Sequence, residues 1–174
     1  MAQLLLDVLV ENRRKKRFLL HEFVIMPNHF HLLLTPAPEI PLEKALQFIK
    51  GGFSFRAKRE IHFAPEIWQA SFVNHRIRDA EDYKHHRTYI WENPVRAGLS
   101  ERPELFAWSS ASLGTELDGP PPELKALNYI PERSRGFENP LPRTKVRGWH
   151  KEPTIVGGSP VLFPDRNYFK QSFT

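Results

Sequence analysis

The chain contains no cysteine. Disulfides and thiolate metal centres are therefore excluded, and any bound metal has to sit on His, Asn, Gln or carboxylate groups. Long apolar runs are missing as well, since no stretch approaches the roughly 20 residues needed to span a bilayer. The opening MAQLLLDVLVENRRKKR carries its charges after the apolar run, and no small-residue cleavage site follows, unlike a secretion signal. No internal repeat is visible. These absences lead us to expect a soluble, cytoplasmic protein with no membrane partner.

What is present fits one domain with a real core: 174 residues, 40% of them hydrophobic. The net charge is +5 and the pI about 9.6. A modest basic excess favours an anionic partner, nucleic acid being the commonest, but a solvated basic surface explains it equally well.

Periodicity divides the chain. AQLLLDVLVENRRKKR reads as a short amphipathic helix ending in cations, where they suit the helix dipole. Phe18–Met26 reads as a strand, Pro27-Asn28 as a turn, and His29–Thr35 as a second strand paired antiparallel with the first. A helix is predicted from Pro41, weakened by Gly51-Gly52. Ile67–Ile77 reads as a further strand. Asp79 is a good N-cap for a helix predicted to end near Asn93, because the residue before Pro94 is pushed out of the helical region. From residue 116 to 174 the texture is proline-rich and aperiodic. That segment is expected to be an irregular tail, either draped over a domain of residues 1–115 or lacking fixed structure.

Two spacings carry chemistry. In MPNHFHLLL, His29 and His31 lie two residues apart on a strand, so both point to one face while Phe30 and Leu32 point to the core. Two imidazoles one pleat apart suit a single cation, but His-X-His is common by chance and plain surface histidines fit too. On the helix from Asp79, Tyr89 and Asn93 are four apart and share a face. Asn93 offers a carbonyl oxygen to a hard cation. Tyr89 offers a phenol that needs a cation or base to become a nucleophile. A half-buried aromatic and a helix C-cap are the plainer readings. Tyr83 points about 120° away from this face.

FVIMPNHFHLLL, IKGGFS, IWQASFVNHRIRDAEDYKHHRTYIWENPVRAGL and WSS, in that order from about Leu19 to Ser110, resemble the single-tyrosine (HUH) transposases of the insertion-sequence 200 type. Within that group the resemblance is to the branch associated with repetitive extragenic palindromes. It implies an α+β fold: a small antiparallel sheet with helices packed on one face, ferredoxin-like or RNA-recognition-like. It implies that His29, His31 and Asn93 hold Mg²⁺ or Mn²⁺ and that Tyr89 is the catalytic tyrosine. The activity implied is cleavage and rejoining of single-stranded or hairpin DNA through a 5′-phosphotyrosine, by a monomer or a homodimer.

Basic groups placed to follow a DNA backbone are Arg13, Arg14, Lys15, Lys16 and Arg17, then Lys50 and Arg56, then Arg76, Arg78 and Arg87. For each, a solvated surface charge is the competing reading. His85 and His86, one turn before Tyr89, are expected at the surface. Trp68, Trp91 and Trp108 are expected to pack rather than stack on bases. The sequence departs from the family in two respects: members usually have a strand before the first helix, and here the helix comes almost at once; and beyond about Gly114 no family motif is recognised. A sheet lacking that strand would leave backbone groups unpaired. A non-catalytic DNA-binding remnant is thus the rival to the enzyme, and a phosphoesterase using water is a second.

Overall fold

In the computed structural model the described residues are 1–68, 72–112, 116–121, 124 and 154–158, the last four of these by their backbone. The helices are α1 (Ala2–Arg14), α2 (Leu42–Glu60) and α3 (Ala80–Arg96); the strands are β1 (Phe18–Ile25), β2 (Phe30–Pro36), β3 (Val73–Arg76) and β4 (Thr154–Gly158). A short 3₁₀ turn spans Pro103–Leu105. The strands form one sheet in the order β1-β2-β4-β3, and every pair is antiparallel. The α+β class with a small antiparallel sheet is the one expected.

Side-chain alternation along β2 builds two cores. Phe30, Leu32 and Leu34 point to one face and pack with Leu5, Val8 and Leu9 of α1 and Ala45, Ile49 and Phe53 of α2. Leu33 points the other way and packs with Tyr83 and Ile90 of α3. The helices are therefore shared between both faces rather than gathered on one. The cause is the apolar content of the strands, which are buried on both sides and need cover on both. Residues 51 and 52 do not interrupt α2, and a Cβ added at Gly52 would meet Val8 Cγ1 of α1 at 3.4 Å, so the two helices approach closely there.

A bulge in β1 adjusts this alternation. Leu20 pairs with Leu34 and Glu22 with Leu33, so His21 is the extra residue. The bulge turns His21 toward Tyr83, with ring centroids 6.0 Å apart, and Glu22 toward Trp91 of α3. The free edge of β1 is covered by the chain after α3. Ile25 N–H donates to Trp108 O, Ser110 N–H to Phe23 O and Asp118 N–H to Leu20 O. An otherwise open edge is thereby closed.

α3 runs past Pro94 to Arg96 instead of ending near Asn93. Proline removes one hydrogen bond, but the last turn is closed by Gly98 N–H to Val95 O and Leu99 N–H to Pro94 O, with Gly98 at φ 68°. That is a glycine-capped helix end, and it keeps Asn93 helical. The strand predicted over Ile67–Ile77 is shorter, Val73–Arg76, and residues 69–71 lie outside the described residues.

The largest departure concerns the proline-rich segment. β4 comes from it and lies between β2 and β3, pairing Val156 with Leu32 on one side and with Asn74 on the other. In a β-α-β-β-α-β arrangement that slot belongs to the strand before the first helix. The expected gap in the sheet is thus filled from the other end of the sequence, with the same antiparallel sense toward both neighbours. Of the rest of the expected tail, residues 116–121 and 124 are described, and Asp118 N–H donates to Leu20 O beside β1; the remainder lies outside the described residues.

Candidate active site

His29 and His31 flank the start of β2, and the residue between them, Phe30, is fully in the core. The turn is tight because Met26 N–H donates to His29 O at 2.8 Å. Both imidazoles therefore face α3, with ring centroids 5.0 Å apart. The His31 ring lies 5.3 Å from the Tyr89 ring, edge to face. The Asn93 side chain lies near enough to the His29 imidazole to act on it, opposing the lowering of its pKa. Four residues from two distant segments of one chain thus meet at the junction of β2 and α3. Tyr83, by contrast, is 3% exposed and belongs to the core beneath.

Electrostatics suit the imidazoles to ligation. Burial lowers His31 from its usual value to about 4, helped by the nearby His29. Burial also lowers His29, against the opposing effect of Asn93. Both are held neutral, the form that donates a lone pair to a metal. His29 Nδ1 is 2.7 Å from Asn28 Oδ1. With that oxygen accepting, Nδ1 carries the proton and Nε2 keeps the lone pair. Sequence reasoning passed over Asn28; its place beside the histidine in the turn was the available signal.

The helix that carries Tyr89 is anchored by its other residues. Trp91 Nε1–H donates to Glu22 Oε2 at 2.8 Å, and the Ser110 hydroxyl donates to the same oxygen at 2.6 Å. Glu22 and Ser110 are buried. Asp79 caps the first turn, its Oδ1 accepting from Asp82 N–H at 2.8 Å. Tyr89 borders an open groove with Glu81, Lys84, His85, Thr88 and Arg96. The Arg96 guanidinium carbon lies 5.9 Å from the Tyr89 ring centroid.

The basic groups differ in exposure and in partners. Arg14, Lys15 and Lys16 are exposed at the end of α1, and Arg76 and Arg78 are exposed beside β3. Lys15 pairs with Glu11. Arg13 is engaged with Asp118, at 2.8 Å from Nε to Oδ2, and with Glu116. Arg17 lies 3.8 Å over the Phe48 ring and donates to Asn12 Oδ1. Arg56 sits among Glu60, Asp7 and Glu11. Lys50 is half-buried near the Trp68 ring, and burial lowers its pKa. Arg87 is 3% exposed over the Trp91 ring, so its charge serves the fold and not an external phosphate. Trp68 packs against Phe30 and Phe53, with its N–H donated to Lys50 O.

Among the described residues, no helix is long and apolar enough to cross a membrane. Comparison with known proteins bears on the same segment. Residues 1–93 match the family described as Transposase IS200 like. Over 97 residues the chain is 31% identical to the REP-associated tyrosine transposase of Escherichia coli (strain K12), covering 55% of this chain and 56% of that protein. A relative from Haemophilus influenzae (strain ATCC 51907 / DSM 11121 / KW20 / Rd), provisionally given the same name, is 31% identical over 96 residues, covering 49% of this chain and 54% of the relative. The chain thus spans about half the length of the curated relatives it matches. No solved structure matches. With more than half of its length in that match, the chain belongs to the IS200-like transposase family.

Proposed function

We propose that this chain cleaves and rejoins single-stranded DNA, with Tyr89 as nucleophile and His29, His31 and Asn93 as ligands of a divalent cation. The observation that carries this reading is the convergence, within one chain, of Tyr89 on His31 and of Asn93 on His29. Two neutral imidazoles and one amide oxygen make an uncharged ligand set. Such a set fits Mg²⁺ or Mn²⁺, leaves the ion's charge available for phosphate, and leaves coordination positions open. A cation held there supplies Lewis-acid polarisation of the scissile phosphate.

The protein's own part is positioning and nucleophilic attack. The Tyr89 oxygen attacks phosphorus, an O–P bond to tyrosine forms, and the bond from phosphorus to the 3′ oxygen breaks. The 3′ oxygen leaves as a hydroxyl, and the 5′ phosphate stays on Tyr89. Rejoining reverses the exchange: an incoming 3′-hydroxyl attacks the phosphotyrosine and the phenol leaves. One phosphodiester is exchanged for another, so no nucleotide cofactor is required. Asn28 orients His29, and the Glu22–Trp91–Ser110 contacts hold α3 at its height above the sheet. The exposed cations at the end of α1 and beside β3 provide sequence-blind attraction for the DNA backbone. Hairpin or palindromic DNA is the proposed substrate: the two relatives are named REP-associated, and the motifs of this chain resemble the branch associated with repetitive extragenic palindromes.

Incubation with labelled single-stranded hairpin DNA and Mn²⁺ tests the reading. The expected result is a covalent protein–DNA adduct that disappears in Tyr89→Phe and persists in Tyr83→Phe. Cleavage without an adduct, retained in Tyr89→Phe, would identify a hydrolase using water. Binding with neither cleavage nor adduct would identify a DNA-binding remnant.

A further inference from the structure

A second group of potential ligands lies between β3 and the first half of α3, one to two turns before Tyr89, and the transposition chemistry makes no use of it. His75 comes from β3, Asp82 and His86 from the first half of α3. His75 Nε2 is 2.9 Å from Asp82 Oδ2, and His86 Nδ1 is 3.0 Å from Asp82 Oδ1. One atom from each of the three residues can be chosen so that all lie within 4.8 Å of one another. The two imidazoles are stacked, with centroids 4.5 Å apart and planes at 17°. Two rings therefore flank one carboxylate, each presenting a nitrogen to a different oxygen.

Helix capping does not call for this arrangement. The cap is made by Asp79, and Asp82 needs only one oxygen to accept Arg78 N–H at 3.0 Å. Two histidines are surplus to that task. Ligands around a tetrahedral cation at about 2.0–2.1 Å stand roughly 3.3 Å apart. The observed nitrogen-to-oxygen separations fall a few tenths of an ångström short of this. Stacked rings cannot both aim an in-plane lone pair at one ion, so the His75 ring, whose side chain is 41% exposed, has to turn for a cation to enter. Arg78 Nε lies 3.6 Å from Asp82 Oδ2 but is well exposed and free to swing away. His85, whose ring centroid is 5.4 Å from that of His86, is exposed at the rim. With that turn made, neutral imidazoles ligate after a tautomer exchange: His75 through Nε2, His86 through Nδ1 in place of its hydrogen bond to Asp82 O.

We infer that His75, Asp82 and His86 form a second metal site, selective for a borderline divalent transition ion of the Zn²⁺ or Co²⁺ class. Two imidazoles and a single carboxylate are the ligand set such ions prefer, with water completing the coordination. Mg²⁺, by contrast, favours oxygen-rich sites. Bound metal would pin β3 to the start of α3 and so stiffen the helix that presents Tyr89. The inference is independent of the role proposed for Tyr89.

The test uses the full chain with His29→Ala and His31→Ala, which removes the first histidine pair. Equilibrium dialysis against Zn²⁺ with metal analysis, and visible absorption with Co²⁺, read the second site directly. The expected results are stoichiometric Zn²⁺ binding, the absorption of four-coordinate Co²⁺, and a higher melting temperature with Zn²⁺. All three should be lost on adding His75→Gln and His86→Gln, and kept with His85→Gln. Should the combined variant fail to fold by circular dichroism, His75→Gln alone, at the partly exposed strand position, reads the same loss. No Zn²⁺ uptake by the His29→Ala/His31→Ala chain, or uptake unchanged after His75 and His86 are replaced, would overturn the inference.

Discussion

At the scale of the residue, identity and environment part company. Among the described histidines, His21 is put to structural use. His21 is 1% exposed in the β1 bulge, its Nε2 is 2.8 Å from Thr35 Oγ1, and its Nδ1 faces Asp118 O at 3.3 Å. Burial pushes it down to about 4, against the opposing effect of Asp118. The folded state therefore refuses a proton that the unfolded chain accepts near pH 6.5. The stability this neutral group confers is fully present above that pH and is lost as pH falls toward 4. The loss should reach up to about 3 kcal/mol. Urea denaturation across this range should show the fall, and His21→Gln should flatten it. His31 adds to the same window in both proteins, so the difference between them isolates His21. Arg13 and Arg87 teach the same lesson with charge: both are basic, and both are spent on the fold, one on Asp118 and the other over Trp91.

At the scale of the element, two features deserve direct tests. α1 ends with Lys16 at φ 56°, where Lys16 N–H donates to Arg13 O and Arg17 N–H to Asn12 O. That helix end favours glycine, and a side chain there is strained. Lys16→Gly should raise stability by roughly 0.5–1 kcal/mol, read as a higher urea midpoint with unchanged slope. β4 is an interior strand made of five residues. Proline at Val156 removes a backbone donor from the middle of the sheet and should cost about 3 kcal/mol or more. Amide exchange in β2 and β3 should quicken at the same time. An unchanged unfolding midpoint would remove β4 from the sheet.

At the scale of the whole molecule, the site depends on which face each helix covers. α1 and α2 close one side of the sheet, and α3 with Phe106 and Trp108 closes the other, where His29 and His31 point. Because His31 and Tyr89 meet within one chain, the proposed chemistry should be completed in cis. Mixing Tyr89→Phe protein with His31→Ala protein should restore no adduct formation beyond that of either alone. Restoration would mean that α3 is exchanged between two copies.

Much of this was legible before folding, for reasons that are local. Alternation and helical period depend on near neighbours, so α1, β1, β2, the start of α3 and the shared faces of His29 with His31 and Tyr89 with Asn93 followed directly. What failed to follow were choices made between distant segments. The continuation of α3 past Pro94 rests on the Gly98 cap. The covering of β1 by Trp108, Ser110 and Asp118, the burial of Arg87 and the stacking of His75 on His86 rest on which faces meet. Above all, a proline-rich segment with no period of its own became strand β4 because β2 and β3 offered it two rows of unpaired backbone groups. Side-chain spacing is written along the chain, whereas the partner of a buried charge or an open strand edge exists only once the sheet and helices have assembled.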